Sequence, residues 1–211
     1  MELQQGIILY LILVGSLSVH EWAHAYVADK LGDNTPRSQG RITFNPMAHI
    51  DPIGTVLIPL FMIFMSPGFA IFGWGKPVMV NPRNFAKWKR DDILVSMAGP
   101  ASNLVICFVV AIVGGILMRF QPELGGLIIQ ILMINAILII FNLLPIPPLD
   151  GSHVMKHIVG MSEETYARLA MWGILILLVV INFPPTIGII RTGMSFILAI
   201  FYNLTLVFSG G

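Results

Sequence analysis

The sequence predicts an all-α polytopic membrane protein of about five to six transmembrane helices, with a re-entrant segment and a small β element near its candidate active site. Of its 211 residues, 56% are hydrophobic and 11% charged, and the mean hydropathy is +0.83. The apolar residues fall in long runs instead of amphipathic stripes, the pattern of a chain whose solvent is the lipid bilayer. A formal net charge of +1 gives no sign of a nucleic-acid partner. The single cysteine, Cys107, lies inside an apolar run; it excludes an internal disulfide framework and reads as a small buried hydrophobe.

Five runs can each cross a bilayer, which takes about 20 apolar residues. They cover 6–28, 93–118, 124–144, 166–183 and 187–208. The first lacks a basic n-region and a small-residue cleavage site, so it is not expected to be a removable signal peptide. A sixth run, 53–72, is interrupted by Pro59, Ser66, Pro67 and Gly68. It is followed by Gly73-Trp74-Gly75-Lys76-Pro77, which stops any helix. Residues 31–50 are rich in turn formers, and short alternating stretches at 39–44 and 77–80 predict the two strands. With no internal repeat or separable soluble segment visible, 1–211 is expected to be one domain. Its motif-bearing core covers about 6–160 and a C-terminal helical pair about 163–208.

Charge placement orients these runs. Lys30, Arg37 and Arg41 follow the first, Lys76, Arg83, Lys87, Lys89 and Arg90 precede the second, and Lys156 and Arg168 follow the third. The loop between the second and third holds only Arg119 and Glu123. The positive-inside rule puts 30–90 and the Lys156 region in the cytoplasm, with the N-terminus outside. For both flanks of 53–72 to share a side, that segment must enter the membrane and return, the alternative being an ordinary span. Irregular backbone at that depth needs protein or a water-filled cavity around it, so the segment is expected to cover a polar site.

That site opens with His20-Glu21-Trp22-Ala23-His24 at the end of the first run. Residues four apart on a helix share a face, so both histidines can turn a ring nitrogen toward one metal ion, with Glu21 about a quarter-turn round. This is the His-Glu-x-x-His zinc pattern, in which the glutamate serves as base toward a water activated at the metal. The plainer use is a polar cluster that packs helices or lines a transport path. A catalytic zinc takes three protein ligands, and the best third donor is Asp150. It follows Asn142-Leu143-Leu144-Pro145-Ile146-Pro147-Pro148-Leu149 and precedes Gly151. Three prolines end a helix and free backbone groups at membrane depth, a costly arrangement unless the unwound stretch lines a site. A turn carboxylate ahead of a glycine is its ordinary alternative. Asn142 must find a partner inside its apolar run, either a substrate group or backbone freed by the prolines.

With these motifs in order, the chain resembles the site-2 protease family of intramembrane zinc metalloproteases, in its compact bacterial and archaeal form. The matching residues are 20–24, Ala98-Gly99-Pro100 with Asn103, and 142–151 as Asn-x-x-Pro-x-Pro-Pro-Leu-Asp-Gly. Stretches 31–33, 40–46 and 49–55 are similar too, so the likeness covers most of 13–154. The resemblance implies that His20, His24 and Asp150 bind one catalytic Zn2+ and that Glu21 is the general base. It makes Asn142 a candidate donor to the substrate carbonyl or its oxyanion. It further implies an endopeptidase that hydrolyses peptide bonds in or near transmembrane segments of membrane-protein substrates, in a prokaryotic cell membrane with the site toward the cytoplasm. The sequence shows no PDZ insertion or CBS-type extension.

Peptide hydrolysis needs water, so the site is expected in a polar pocket open to the cytoplasm. A substrate helix must unwind before attack, and the strand candidates could hold it extended by strand addition. The rival function is a membrane transporter or metal-handling protein using the same His/His/Asp cluster as an ion site, although such proteins usually show repeated halves. Among other residues, His49 could pair with Asp51. His153 either contacts the site or caps a helix end, and His157 is expected at the interface. Asn103 and Asn135 are expected to hydrogen-bond between helices, and Gly99 and Pro100 to permit close helix approach. Arg83, Lys87, Lys89 and Arg90 read as topology determinants at the headgroups.

Overall fold

A computed structural model describes residues 3–65 and 73–210. Helix α1 (Leu3–Lys30) carries the histidine motif, and α2 (Thr35–Ser38) is a single turn with Pro36 near its start. A π-type turn over Pro52–Leu57 leads into α3 (Ile58–Met65). Then come α4 (Trp88–Met118), α5 (Gly125–Asn142), α6 (Asp150–Ile158), α7 (Glu163–Met171), α8 (Gly173–Ile181) and α9 (Pro184–Ser209).

Four of these stretches are long and apolar enough to cross a membrane: Leu3–Lys30, Trp88–Met118, Pro122–Asn142 and Pro184–Ser209. The expected span at 166–183 is instead the pair α7 and α8, bent by 65° at Trp172. Gly173 explains the break. A Cβ there would lie 2.4 Å from the Pro147 carbonyl oxygen, so the proline-rich loop after α5 presses on the start of α8. The charged residues Glu163, Glu164 and Arg168 all lie on the α7 side of the bend, and α8 beyond it is wholly apolar.

The helices pack through buried apolar clusters and at close glycine contacts. Cys107, Ala111, Ile128, Leu132, Ile139 and Phe201 join α4, α5 and α9, and Leu13, Leu17, Ile134 and Leu138 join α1 to α5. Gly115 brings α4 so near α9 that a Cβ would sit 2.6 Å from the Thr205 carbonyl oxygen. Lipid tails are as apolar as these side chains, so close fit and hydrogen bonds hold such helices together. Phe108, Val109, Val113, Ile174 and Leu178 stay exposed, as lipid-facing positions require.

The two strands expected at 39–44 and 77–80 do not form; the described residues contain no strand. Side chains take the backbone groups a ladder would need. Arg41, 4% exposed, turns inward and donates to the carbonyls of Ala48, Lys76 and Pro77. The Val78 amide donates to Glu21 (3.1 Å) and the Asn81 amide to Asp33 (2.7 Å). Residues 73–81 therefore run without regular structure past the end of α1.

Asp33 is the corner of this loop system. Its carboxylate also accepts from the Thr35 amide and hydroxyl and from Asn84. Burial alone would raise its pKa, but these donors outweigh it and hold the carboxyl below its ordinary value. The expected re-entrant segment 53–72 is described as far as residue 65, and 66–72 lie outside the described residues. On either side of it, the Trp74 amide donates to the Gly54 carbonyl (3.2 Å) and the Thr55 hydroxyl to the Trp74 carbonyl (2.7 Å). The chain is thus back beside residue 54 by residue 74.

Candidate metal centre

Helices α1, α4 and α6 bring together His20, His24 and Asp150. The two Nε2 atoms lie 3.1 Å apart, His20 Nε2 is 3.2 Å from Asp150 Oδ2, and His24 Nε2 is 3.3 Å from Asp150 Oδ1. These are the three groups in the described residues that could hold a metal ion, with ligand atoms all within 4.8 Å of one another. Both imidazoles are buried and the Asp150 side chain is 18% exposed.

Protonation logic tests whether a metal fits. His24 Nδ1 lies 2.7 Å from the Val95 carbonyl, which can only accept, so that nitrogen carries the proton. His20 Nδ1 lies 2.7 Å from Asn103 Oδ1, also an acceptor. A neutral imidazole has one N–H, so both Nε2 atoms present lone pairs. They point at each other and at a carboxylate that also only accepts. Asp150 Oδ2 accordingly is buried with no hydrogen bond, although His20 Nε2 is near: the contact is between two lone-pair atoms. A metal cation between them satisfies all three groups at once. Zinc bonds of about 2.0–2.2 Å in tetrahedral geometry separate ligands by about 3.3–3.5 Å, close to the spacings observed. Two imidazoles, a carboxylate and an anchored second nitrogen on each ring are a zinc-type donor set.

Local sequence builds this closeness. Asp150 is the first residue of α6, delivered by the proline-rich loop. At Gly151 a Cβ would lie 2.3 Å from the Leu143 carbonyl oxygen, so only glycine lets α6 start against the end of α5. At Gly99 a Cβ would lie 2.4 Å from His24 Nε2 and 2.5 Å from His20 Nε2. The expected close helix approach is therefore an approach of α4 to the ligand atoms themselves.

Glu21 stands beside the centre with Oε2 held by the Val78 amide (3.1 Å) and Oε1 toward Gly75. Asn142 donates to the Leu138 carbonyl (2.9 Å), one turn back in its own helix. Asn103 and Asn135 do bond between helices (2.8 Å), but Asn103 also holds a histidine of the centre, which motif spacing did not reveal.

Three sequence expectations change. Asp51 caps the turn at Ile53 and Gly54 and leaves His49 to the Thr43 carbonyl (2.8 Å). His157 is not interfacial: its side chain is 5% exposed and meets Asp92 at 2.6 Å. His153 faces Asp92 as well, and Lys156, 2% exposed, pairs with Asp92 (2.9 Å) and Glu163 (3.1 Å). Lys156 and Arg41 are thus internal charges and say nothing about headgroups. Asp92 itself was invisible in the sequence because its partners lie some sixty residues away, on α6.

The chain is similar to several known proteins. The model of Peptidase family M50 matches residues 123–181, which contain Asn142 and Asp150. YwhC of Bacillus subtilis (strain 168), provisionally named a zinc metalloprotease, is 41% identical over 72% of this chain and 68% of its own. Rip2 of Mycolicibacterium smegmatis, with the same kind of name, is 29% identical over 80% of this chain and 64% of its own. A Methanocaldococcus jannaschii protein so named is 32% identical over 71% and 70%. The chain thus spans about two thirds of the length of these relatives. No solved structure matches it.

Proposed function

The chain belongs to peptidase family M50, the site-2 type of zinc metalloendopeptidase, and from that premise we propose that it hydrolyses peptide bonds in or near transmembrane segments of membrane-protein substrates. The observation that carries the reading is the convergence of three acceptor groups, His20, His24 and Asp150, beside a second carboxylate, Glu21, that is not part of the triangle. A binding or transport site would need only the triangle.

His20, His24 and Asp150 hold the ion, and Asn103 and the Val95 carbonyl orient the rings. When bound, zinc supplies a Lewis acid that polarises the scissile carbonyl and acidifies water. Glu21 takes the proton from the attacking water and passes it to the leaving amine. The Val78 amide holds one Glu21 oxygen and so aims the other. Asn142 lies at the end of α5, eight residues before Asp150, as a donor to the substrate carbonyl. Exposed Arg83, Lys87, Lys89 and Arg90 at the start of α4 favour a site facing the cytoplasm, in a prokaryotic cell membrane.

Glu21→Gln tests the reading. Purified wild type and variant are incubated with a panel of single-span membrane peptides and the products are weighed by mass spectrometry. The variant should bind zinc as wild type does and lose about 10²–10⁴-fold in cleavage, the usual scale of general-base catalysis. Unchanged cleavage by the variant, or no cleavage of any peptide by the zinc-loaded wild type, refutes it.

A further inference from the structure

We propose that Asn135, which touches neither histidine of the centre, is a positioning residue for the metal: through Asn103 it fixes the tautomer in which His20 can bind a cation at Nε2. The inference rests on His20 being a zinc ligand.

Asn103 and Asn135 are both wholly buried, at 0% exposure. An asparagine amide keeps its shape when its oxygen and nitrogen exchange places, so packing alone cannot choose between the two orientations. The choice matters at His20. With Oδ1 toward the ring, as observed at 2.7 Å, Nδ1 must carry the proton and Nε2 keeps its lone pair. Reversed, Asn103 would donate to Nδ1, and the ring proton would move to Nε2, where it blocks coordination.

Asn135 decides the matter. Its Nδ2 donates to the Ile131 carbonyl (2.9 Å), a group that can only accept. Its Oδ1 therefore faces Asn103 Nδ2 (2.8 Å), which leaves Asn103 Oδ1 for the histidine. Ser16, 3.0 Å from Asn135 Nδ2, can accept or donate and conveys no direction. The polarity of the whole chain of donors, His20 to Asn103 to Asn135 to Ile131, thus originates at one backbone carbonyl of α5. Such chains strengthen each member, and at membrane depth no water replaces a lost link.

The test uses the purified full chain in detergent micelles with zinc as the probe. Zinc affinity is measured by competition with a chromophoric chelator, and the His20 ring Nδ1–H is followed by NMR on 15N-histidine protein loaded with zinc. Asn135→Leu should weaken zinc binding about 10–100-fold, the range for losing an outer partner of a ligand, and expose Nδ1–H to rapid exchange. Asn135→Asp, protonated in its buried site, can donate to Ile131 and accept from Asn103, and should restore both readouts to within about threefold of wild type. Ser16→Ala should match wild type.

The proposal falls if Asn135→Leu binds zinc like wild type with Nδ1–H protected. It falls equally if Asn135→Asp is as weak as the leucine variant, which would make volume the cause. Should Asn135→Leu not fold, a freely exchanging Nδ1–H in the wild type alone overturns it. His20→Ala separates the two levels: undiminished zinc affinity there removes the zinc reading itself, whereas its loss alongside an unaffected Asn135→Leu removes only the role of Asn135.

Discussion

Gly99 has little tolerance for change. A methyl group there would occupy space 2.4–2.5 Å from the ligand nitrogens of both histidines. Gly99→Ala is expected to cut zinc affinity by more than about tenfold while the helices remain, as measured by zinc content and circular dichroism on one sample. Asp33 governs a different property. Its carboxyl titrates below the unfolded value of about 3.9, so the stability it contributes is complete above that pH and is lost as pH falls through the lower folded value. Asp33→Asn should therefore unfold at a lower temperature than wild type at neutral pH, and the gap should narrow as the pH drops below about 4. A gap that stays constant across the titration would remove Asp33 as the cause. At this scale the sequence displayed ligand types and their spacing. It did not display Asn103 as the partner of His20, because a buried asparagine reads the same whether it faces a ring or another amide.

Helix α6 is held at two points along one face. Asp150 meets the histidines of α1, and one and two turns later His153 and His157 meet Asp92 of α4, joined by Lys156 from beside them. Asp92→Ala would leave Lys156 inside the protein with the exposed Glu163 as its remaining carboxylate and the Trp88 and Tyr166 rings beside it. A loss of about 3 kcal/mol in unfolding free energy is expected, seen as a lowered denaturant midpoint, since stranding one member of a buried pair is costly. Spans at 6–28, 93–118, 124–144 and 187–208 were legible because each is a long apolar run, and the structure only extends or trims their ends. The pair α7 and α8 and the absent strands were not legible. Their form depends on what touches them, the Pro147 carbonyl in one case and the Arg41 guanidinium in the other.

Across the whole molecule, the centre ties the motif-bearing helices α1 and α6 together over the Gly99 face of α4. A bound zinc would therefore stabilise the fold as well as serve the chemistry, by mass action on the folded state. Stripping the metal with a chelator should lower the unfolding temperature by several degrees, and zinc, but not magnesium, should restore it. An unfolding temperature indifferent to chelation would contradict the centre as described. The sequence by itself determined that the chain lives in a membrane, four of the runs that can span it, and that it carries a His-Glu-x-x-His zinc pattern and an aspartate behind a run of prolines. Hydropathy and side-chain chemistry are properties of residues and survive without coordinates. Tertiary structure alone decided that Asp150 reaches both rings, which way the Asn103 amide faces, and that Lys156 and Arg41 lie inside. Those outcomes depend on distances between residues far apart in the chain, and no local pattern encodes them.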